Sequence, residues 1–142
     1  MKILTIVGTR PNLIKAAPLV RAVAEHNRGA PRGKHIRHVL IHTGQHYDAE
    51  MACDFMKAID LPKPDYSLNI SGGGQGDQVG RMMTALEPLI KQEDPDWVVV
   101  TGDVNSTLAG ALTAKKLMMK VAHVEAGLRS ADWSMPEEIN RL

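Results

Sequence analysis

Acidic and basic side chains crowd the last twenty residues of this chain, in His123-Val-Glu-Ala-Gly-Leu-Arg129 and Met135-Pro-Glu-Glu-Ile-Asn-Arg141. These two motifs hold three carboxylates and two arginines, just after the apolar run from Val121 to Val124. Opposite charges placed directly after a buried strand rarely help folding, because desolvating them costs more than their pairing returns. A site for a charged, oxygen-rich substrate explains them better. Glu125 ends the apolar run, where partial burial suits a carboxyl to proton transfer; an ion pair with Arg129 is the structural alternative. Glu137 lies in Ser134-Met-Pro-Glu137, which also reads as a capping box with proline inside it. Arg141 is four residues further along the same helix face, placed for an ion pair or a shared ligand.

Three more polar motifs each follow an apolar segment: Gly8-Thr-Arg-Pro11, Thr43-Gly-Gln-His46 and Gly102-Asp-Val-Asn105. In the first, Gly8 permits a sharp turn and Pro11 suits the first helical position, where its missing donor costs nothing. The free amides of that helix start attract anions, and Arg10 adds a bidentate phosphate partner. Lys15, about one turn further on, is within reach of the same anion; a turn followed by a solvated helix face is the structural alternative for both Arg10 and Lys15. Asp103 is a carboxylate candidate, with capping of the helix that opens at Asn105-Ser-Thr107 as its competitor. Gln45 and His46, at a strand end, are candidates for lining a pocket. His123, inside a strand, reads as a hydrogen-bonded core histidine. His35, His38 and His42 alternate along one strand without a second ligand cluster, so no metal site is expected. Ser71-Gly-Gly-Gly-Gln-Gly76 fits neither G-x-G-x-x-G nor a P-loop and reads as a flexible loop.

The elements that must position these residues alternate. Residues 2–7, 36–43, 96–101 and 120–124 read as four strands. Residues 12–26, 48–59, 75–92 and 105–118 carry apolar groups at helical spacing, with Pro88 threatening a kink in the third helix. Leu61-Pro-Lys-Pro64 breaks the chain. Alternation of this kind implies parallel βαβ units with right-handed crossovers, hence an α/β domain built on a parallel sheet. In an open parallel sheet the carboxyl ends of the strands share one edge, where ligands bind, and all four polar motifs fall there. The connections at the opposite edge read as ordinary solvated loops.

Composition narrows the function classes. A chain of 142 residues with 44% apolar content supports a single domain with a real core. A net charge of +1 offers no global field for nucleic acid or an anionic membrane, and five aromatics leave little for base stacking. No apolar run approaches the ~20 residues of a membrane helix. The single cysteine, Cys53, excludes an internal disulfide, suits a reducing cytoplasm and reads as a packed thiol. Trp97 and Trp133 read as packing residues.

The motifs, in order and spacing, resemble those of the non-hydrolysing UDP-N-acetylglucosamine 2-epimerases: Gly8-Thr-Arg-Pro11 with Ile14-Lys15, Thr43-Gly-Gln-His46, Gly102-Asp103, His123 to Arg129 and Pro136 to Arg141. The family varies at position 12, where several members have glutamate and this chain has Asn12. The resemblance implies the glycosyltransferase-B fold of two Rossmann-like domains. Residues 1–142 would be most of the N-terminal one, with its remainder and a C-terminal nucleotide-binding domain outside the chain. It implies interconversion of UDP-N-acetylglucosamine and UDP-N-acetylmannosamine without a cofactor, in the cytoplasm, by a homodimer. UDP leaves C1 as a base takes the C2 proton, giving a glycal; reprotonation on the other face and return of UDP complete the reaction. By the resemblance, Asp103, Glu125 and Glu137 are the acid/base candidates, while Arg10, Lys15 and Arg141 position or stabilise the diphosphate, with Gln45 and His46 beside the substrate. The 142 residues alone are expected to be silent, for want of the second domain. The alternatives are a hydrolysing relative, a glycosyltransferase of similar architecture, and a non-catalytic nucleotide-sensing module.

Overall fold

A computed structural model describes residues 1–44 and 55–141. Five strands form one sheet: β1 (Lys2–Val7), β2 (Arg37–His42), β3 (Tyr66–Ser67), β4 (Trp97–Thr101) and β5 (Val121–Val124). Their order is β3-β2-β1-β4-β5, and every neighbouring pair is parallel. Four strands were legible as apolar runs. The two-residue β3 was not, because it follows the proline-broken stretch after Leu61 and pairs only through Ile41–Tyr66 and His42–Ser67.

Helix α1 (Arg10–Gly29) covers one face of the sheet; α2 (Gln75–Glu93) and α3 (Asn105–Lys116) cover the other. The inner strands are near-continuous apolar runs because both faces are covered. Leu4, Ile6, Val39, Ile41, Val98 and Val100 pack with Leu86, Ile90, Ala109 and Ala114. Val7 and Leu40 pack with Leu13, Ala16, Ala17 and Val20 of α1. Helix α2 runs through Pro88 as one element, from Gln75 to Glu93. A four-residue helix, α4 (Pro136–Ile139), follows β5. Among the described residues, no helix is long and apolar enough to cross a membrane.

The order reverses at β1: the chain builds outward through β2 and β3, then returns to add β4 and β5 on the other side. The carboxyl ends of β1 and β4 therefore flank a crevice at a topological switch point, the usual ligand position in open α/β sheets.

The amino edge departs from the expectation of plain loops. Glu93, 5% exposed, accepts a 2.6 Å hydrogen bond from the Tyr66 hydroxyl and pairs with Lys2 at 3.3 Å and Arg37 at 3.1 Å. It ties the start of β1 and of β2 to the end of α2. The two tryptophans also depart from a packing role, Trp97 being 39% and Trp133 66% exposed.

Candidate active site

The turn after β1 brings Gly8, Thr9 and Arg10 to the crevice. A Cβ on Gly8 would lie 2.5 Å from Ser106 Oγ and 2.9 Å from Thr43 Oγ1, so only glycine lets the turn after β1, the end of β2 and the start of α3 close together here. Thr9 caps α1 and Pro11 stands in its first turn. The Arg10 guanidinium stands 5.7 Å from the Phe55 ring centroid, within cation–π range. Arg10 also lines a cavity of about 580 Å³ together with Gly8, Gly44, Ser71, Gly72, Asn105 and Ser106.

Gly102 has φ +67°, which aims the chain after β4 back toward α1. A Cβ there would sit 3.1 Å from Asn12 Nδ2 and 3.3 Å from Lys15 Nζ. His123 Nε2 lies 2.6 Å from the Gly102 carbonyl oxygen, so this histidine braces the turn, in keeping with a hydrogen-bonded strand histidine. Asp103 does not cap α3, whose N-cap residue is Val104. Its carboxylate pairs with Arg141, and its backbone carbonyl accepts a 2.9 Å hydrogen bond from the Asn140 amide. Glu125, directly after β5, pairs with Lys15 of α1 and takes a left-handed φ of 67°. For a non-glycine residue that conformation costs about 1 kcal/mol or more and persists only where its surroundings hold it.

Several expected pairings are replaced. Arg129 pairs with Glu138, not Glu125, donating from Nε at 2.6 Å. Glu138 is fully buried and also accepts from Ser130 N at 3.1 Å, so one of the terminal carboxylates is structural after all. The Arg129 hydrogen bond holds the Glu138 carboxyl below its usual range, against the opposing effect of desolvation. Arg141 turns to Asp103 rather than Glu137. The capping box at Ser134 does not form: its N–H and hydroxyl bond Asp132 at 3.0 and 2.7 Å, and Met135 is the N-cap residue of α4. Glu137 is exposed on α4. Each histidine of the 35–42 stretch goes its own way. His35 meets the Ala30 carbonyl oxygen at 3.0 Å, His38 the Thr5 hydroxyl at 2.9 Å and His42 the Gly44 carbonyl oxygen at 3.2 Å. Gln45, His46 and Cys53 lie outside the described residues.

The glycine-rich stretch 71–76 is not a detached loop. Arg81 donates to the carbonyl oxygens of Ser71 at 3.1 Å and Gly72 at 2.6 Å while holding Asp77 at 2.9 Å through Nε. The loop thereby forms a wall of the cavity that Arg10 lines. Asn140 was passed over, and Asn12 was noted only as a position at which the family varies. Both neighbour charged candidates in sequence, and Asn12 stands three residues after the cap Thr9, a spacing that could have marked it.

Two carboxylates, Asp103 and Glu125, thus stand at the carboxyl ends of adjacent strands, each paired with a cation from another part of the chain, beside the start of α1. Comparison with known proteins gives the family. A family model described as UDP-N-acetylglucosamine 2-epimerase matches residues 30–142. The chain belongs to this epimerase family. It is 50% identical over its full length to a UDP-N-acetylglucosamine 2-epimerase homolog of Methanococcus maripaludis, covering 37% of that protein. It is 49% identical to the UDP-2,3-diacetamido-2,3-dideoxy-D-glucuronate 2-epimerase of Pseudomonas aeruginosa, covering all of this chain and 38% of that protein. The crystal structure of Methanocaldococcus jannaschii UDP-GlcNAc 2-epimerase in complex with UDP-GlcNAc and UDP superposes with a TM-score of 0.88 at 50% identity, over 99% of this chain and 37% of that one. The Neisseria meningitidis epimerase bound to UDP-GlcNAc gives 0.85 at 34% identity, over 99% of this chain and 37% of that one. The chain thus spans a little over a third of the length of these epimerases.

Proposed function

We propose that this chain is the amino-terminal part of a non-hydrolysing UDP-N-acetylglucosamine 2-epimerase. The observation that carries the reading is the placement of Asp103 and Glu125 at the carboxyl ends of adjacent strands, paired with Arg141 and Lys15. Epimerisation at C2 needs proton-transfer groups on opposite faces of the sugar ring and cations for a departing diphosphate. Asp103, Glu125 and Glu137 supply the carboxyls in this reading, and Arg10, Lys15 and Arg141 the cations, with Gln45 and His46 beside the substrate. Cleavage of the C1–O bond sends its electron pair to UDP while a carboxylate removes the C2 proton. The glycal that results regains a proton on its other face as UDP returns to C1. Lys15 is placed to exchange Glu125 for the diphosphate when substrate enters. Residues 1–142 form most of one Rossmann-like domain, and a second, nucleotide-holding domain completes a homodimeric, cytoplasmic enzyme.

The test is proton NMR of the full-length protein with UDP-N-acetylglucosamine in deuterated buffer. UDP-N-acetylmannosamine carrying deuterium at C2 is the expected product. Free N-acetylmannosamine would mean a hydrolysing enzyme instead. A second reading has its own support. The Pseudomonas relative acts on a diacetamido glucuronate and is as similar, at 49%, as the 49% identical Methanocaldococcus epimerase. The same assay with that UDP-sugar discriminates: preference for it in kcat/KM would replace the first substrate with the second.

A further inference from the structure

Helix α4 carries Glu137 and delivers Arg141 just beyond its end. Among the described residues, the side chain that α4 buries is an acid: Glu138 is 0% exposed, while Glu137 and Ile139 beside it are exposed. A carboxylate in that setting is costly unless its oxygens are fully met. Here they are. Oε1 takes the Arg129 Nε–H at 2.6 Å together with a second guanidinium nitrogen, and Oε2 accepts from the Ser130 N–H at 3.1 Å and the Ser130 hydroxyl at 3.3 Å. All of these donors belong to the segment that leaves the end of β5.

The Arg141 N–H bonds the Glu138 carbonyl oxygen at 3.2 Å, so the two residues sit one turn apart and their side chains leave the same face. Beyond Glu138 the chain meets the turn after β4. Asn140 Nδ2 donates to the Asp103 carbonyl oxygen at 2.9 Å, and Arg141, with only 11% of its side chain exposed, pairs with the Asp103 carboxylate. Residues 138–141 therefore join the turn that carries Asp103 to the stretch that follows Glu125. A helix of four residues has no stability of its own, so α4 lies where its contacts put it. An apolar side chain at 138 would supply burial without direction, whereas the forked ion pair fixes one orientation. The Glu138 contacts include neither Asp103 nor Glu125.

We infer that Glu138 is a positioning residue of the site: its forked pair with Arg129 sets the turn of α4 from which Arg141 meets Asp103. The inference rests on the epimerase reading and is tested in the full-length protein. Glu138→Gln is close to isosteric, removes the charge and turns an NH2 group against the donors of Arg129 or of Ser130. It is expected to lower kcat at least about tenfold with KM within about threefold, the pattern of an interaction made in the transition state. In an Arg141→Met background the same change should add little, because the residue through which Glu138 acts is already gone. Losses that multiply independently in the two backgrounds would overturn the inference. So would parent-like kcat in E138Q, or a loss that merely tracks a lowered melting temperature. Should E138Q not fold, Arg129→Lys takes its place: it keeps a cation over the carboxylate and loses the fork. Again kcat should fall at steady KM, and a parent-like value would count against the idea. If the parent turns over neither UDP-sugar, the epimerase reading fails by itself. The clasp is then followed without turnover, through the nitrogen-15 signal of the Arg141 Nε–H, which is buried and has no acceptor among the described residues. Asp103→Asn should move that signal in the parent and move it much less in E138Q or R129K; equal movement would sink the inference.

Discussion

Glu125 combines three features at one residue: the end of an edge strand, a left-handed backbone and an ion pair with Lys15 from the opposite side of the crevice. A structural ion pair alone would not call for the strained backbone. Glu125→Gln keeps shape and hydrogen bonding and removes proton transfer. In the full-length protein it should lower kcat by about a hundredfold or more while UDP binding, measured by calorimetry, changes only a few-fold. Near-parent turnover would return Glu125 to a structural role. The residue types and the edge they occupy were legible in the sequence, since each motif directly follows an apolar run. The partners were not. Arg129 lies four residues from Glu125, yet the chain between them turns rather than forming a helix, so proximity in sequence gave the wrong pair. Glu138 takes Arg129 because the turns over residues 130–138 bring α4 back beside it, and Lys15 reaches Glu125 because α1 lies across the sheet.

At the scale of elements, helices on both faces account for the near-continuous apolar strands, and removing a contact on one face should be costly. Leu86 of α2 is fully buried against Leu4, Ile6 and Val100. Leu86→Ala is expected to destabilise the fold by about 2–5 kcal/mol, read from urea unfolding. The amino edge makes a different prediction, in pH. The hydrogen bond from Tyr66 holds the Glu93 carboxyl below its usual 4.5, while the same bond raises the Tyr66 hydroxyl above its usual 10.0. The Glu93 contribution is therefore present above the unfolded carboxyl value and lost as pH falls through the folded one. The Tyr66 contribution is present below the unfolded value of 10.0 and lost as pH rises through the folded one. Burial lowers His38 below its usual 6.5, so its neutral form adds stability that starts to erode as pH drops below that value. Melting temperature against pH, followed by circular dichroism, should show these three windows. Glu93→Gln should flatten the deep acid decline, Tyr66→Phe the alkaline one, and His38→Gln the shallow decline that begins near neutrality. A Glu93→Gln curve that parallels the parent would mean that the amino-edge cluster adds nothing to folding.

At the scale of the whole molecule, the cavity beside Arg10 is walled by Gly8, Gly44, the 71–72 turn and the start of α3, all from one side of a sheet. The relatives that share this domain are nearly three times as long, by the 37% of their length that it covers. A glycal has to be shielded from water, and its UDP kept at high effective concentration for re-addition, which calls for a second wall. The 142-residue chain by itself is accordingly expected to exchange no C2 proton of UDP-N-acetylglucosamine in deuterated buffer. Exchange at a rate comparable to that of the full-length protein would mean that this single domain suffices for the chemistry.

Local sequence determined most of the elements described and the sheet edge on which the candidate site lies. Apolar runs, helical spacing and the turn residues that follow each strand are short-range properties, and parallel alternation sends every strand end to one side. The short β3 escaped because two residues carry no period to read. Pairing within the site was decided by tertiary structure alone. Which cation meets which carboxylate depends on how α1 crosses the sheet and where α4 docks, and these follow from packing between segments about a hundred residues apart, as with Lys15 and Glu125. The same holds for Asn12. Its type and place in a first helical turn were plain, but its hydrogen bond to Thr101 exists only because the reversal of strand order at β1 sets the end of β4 beside it.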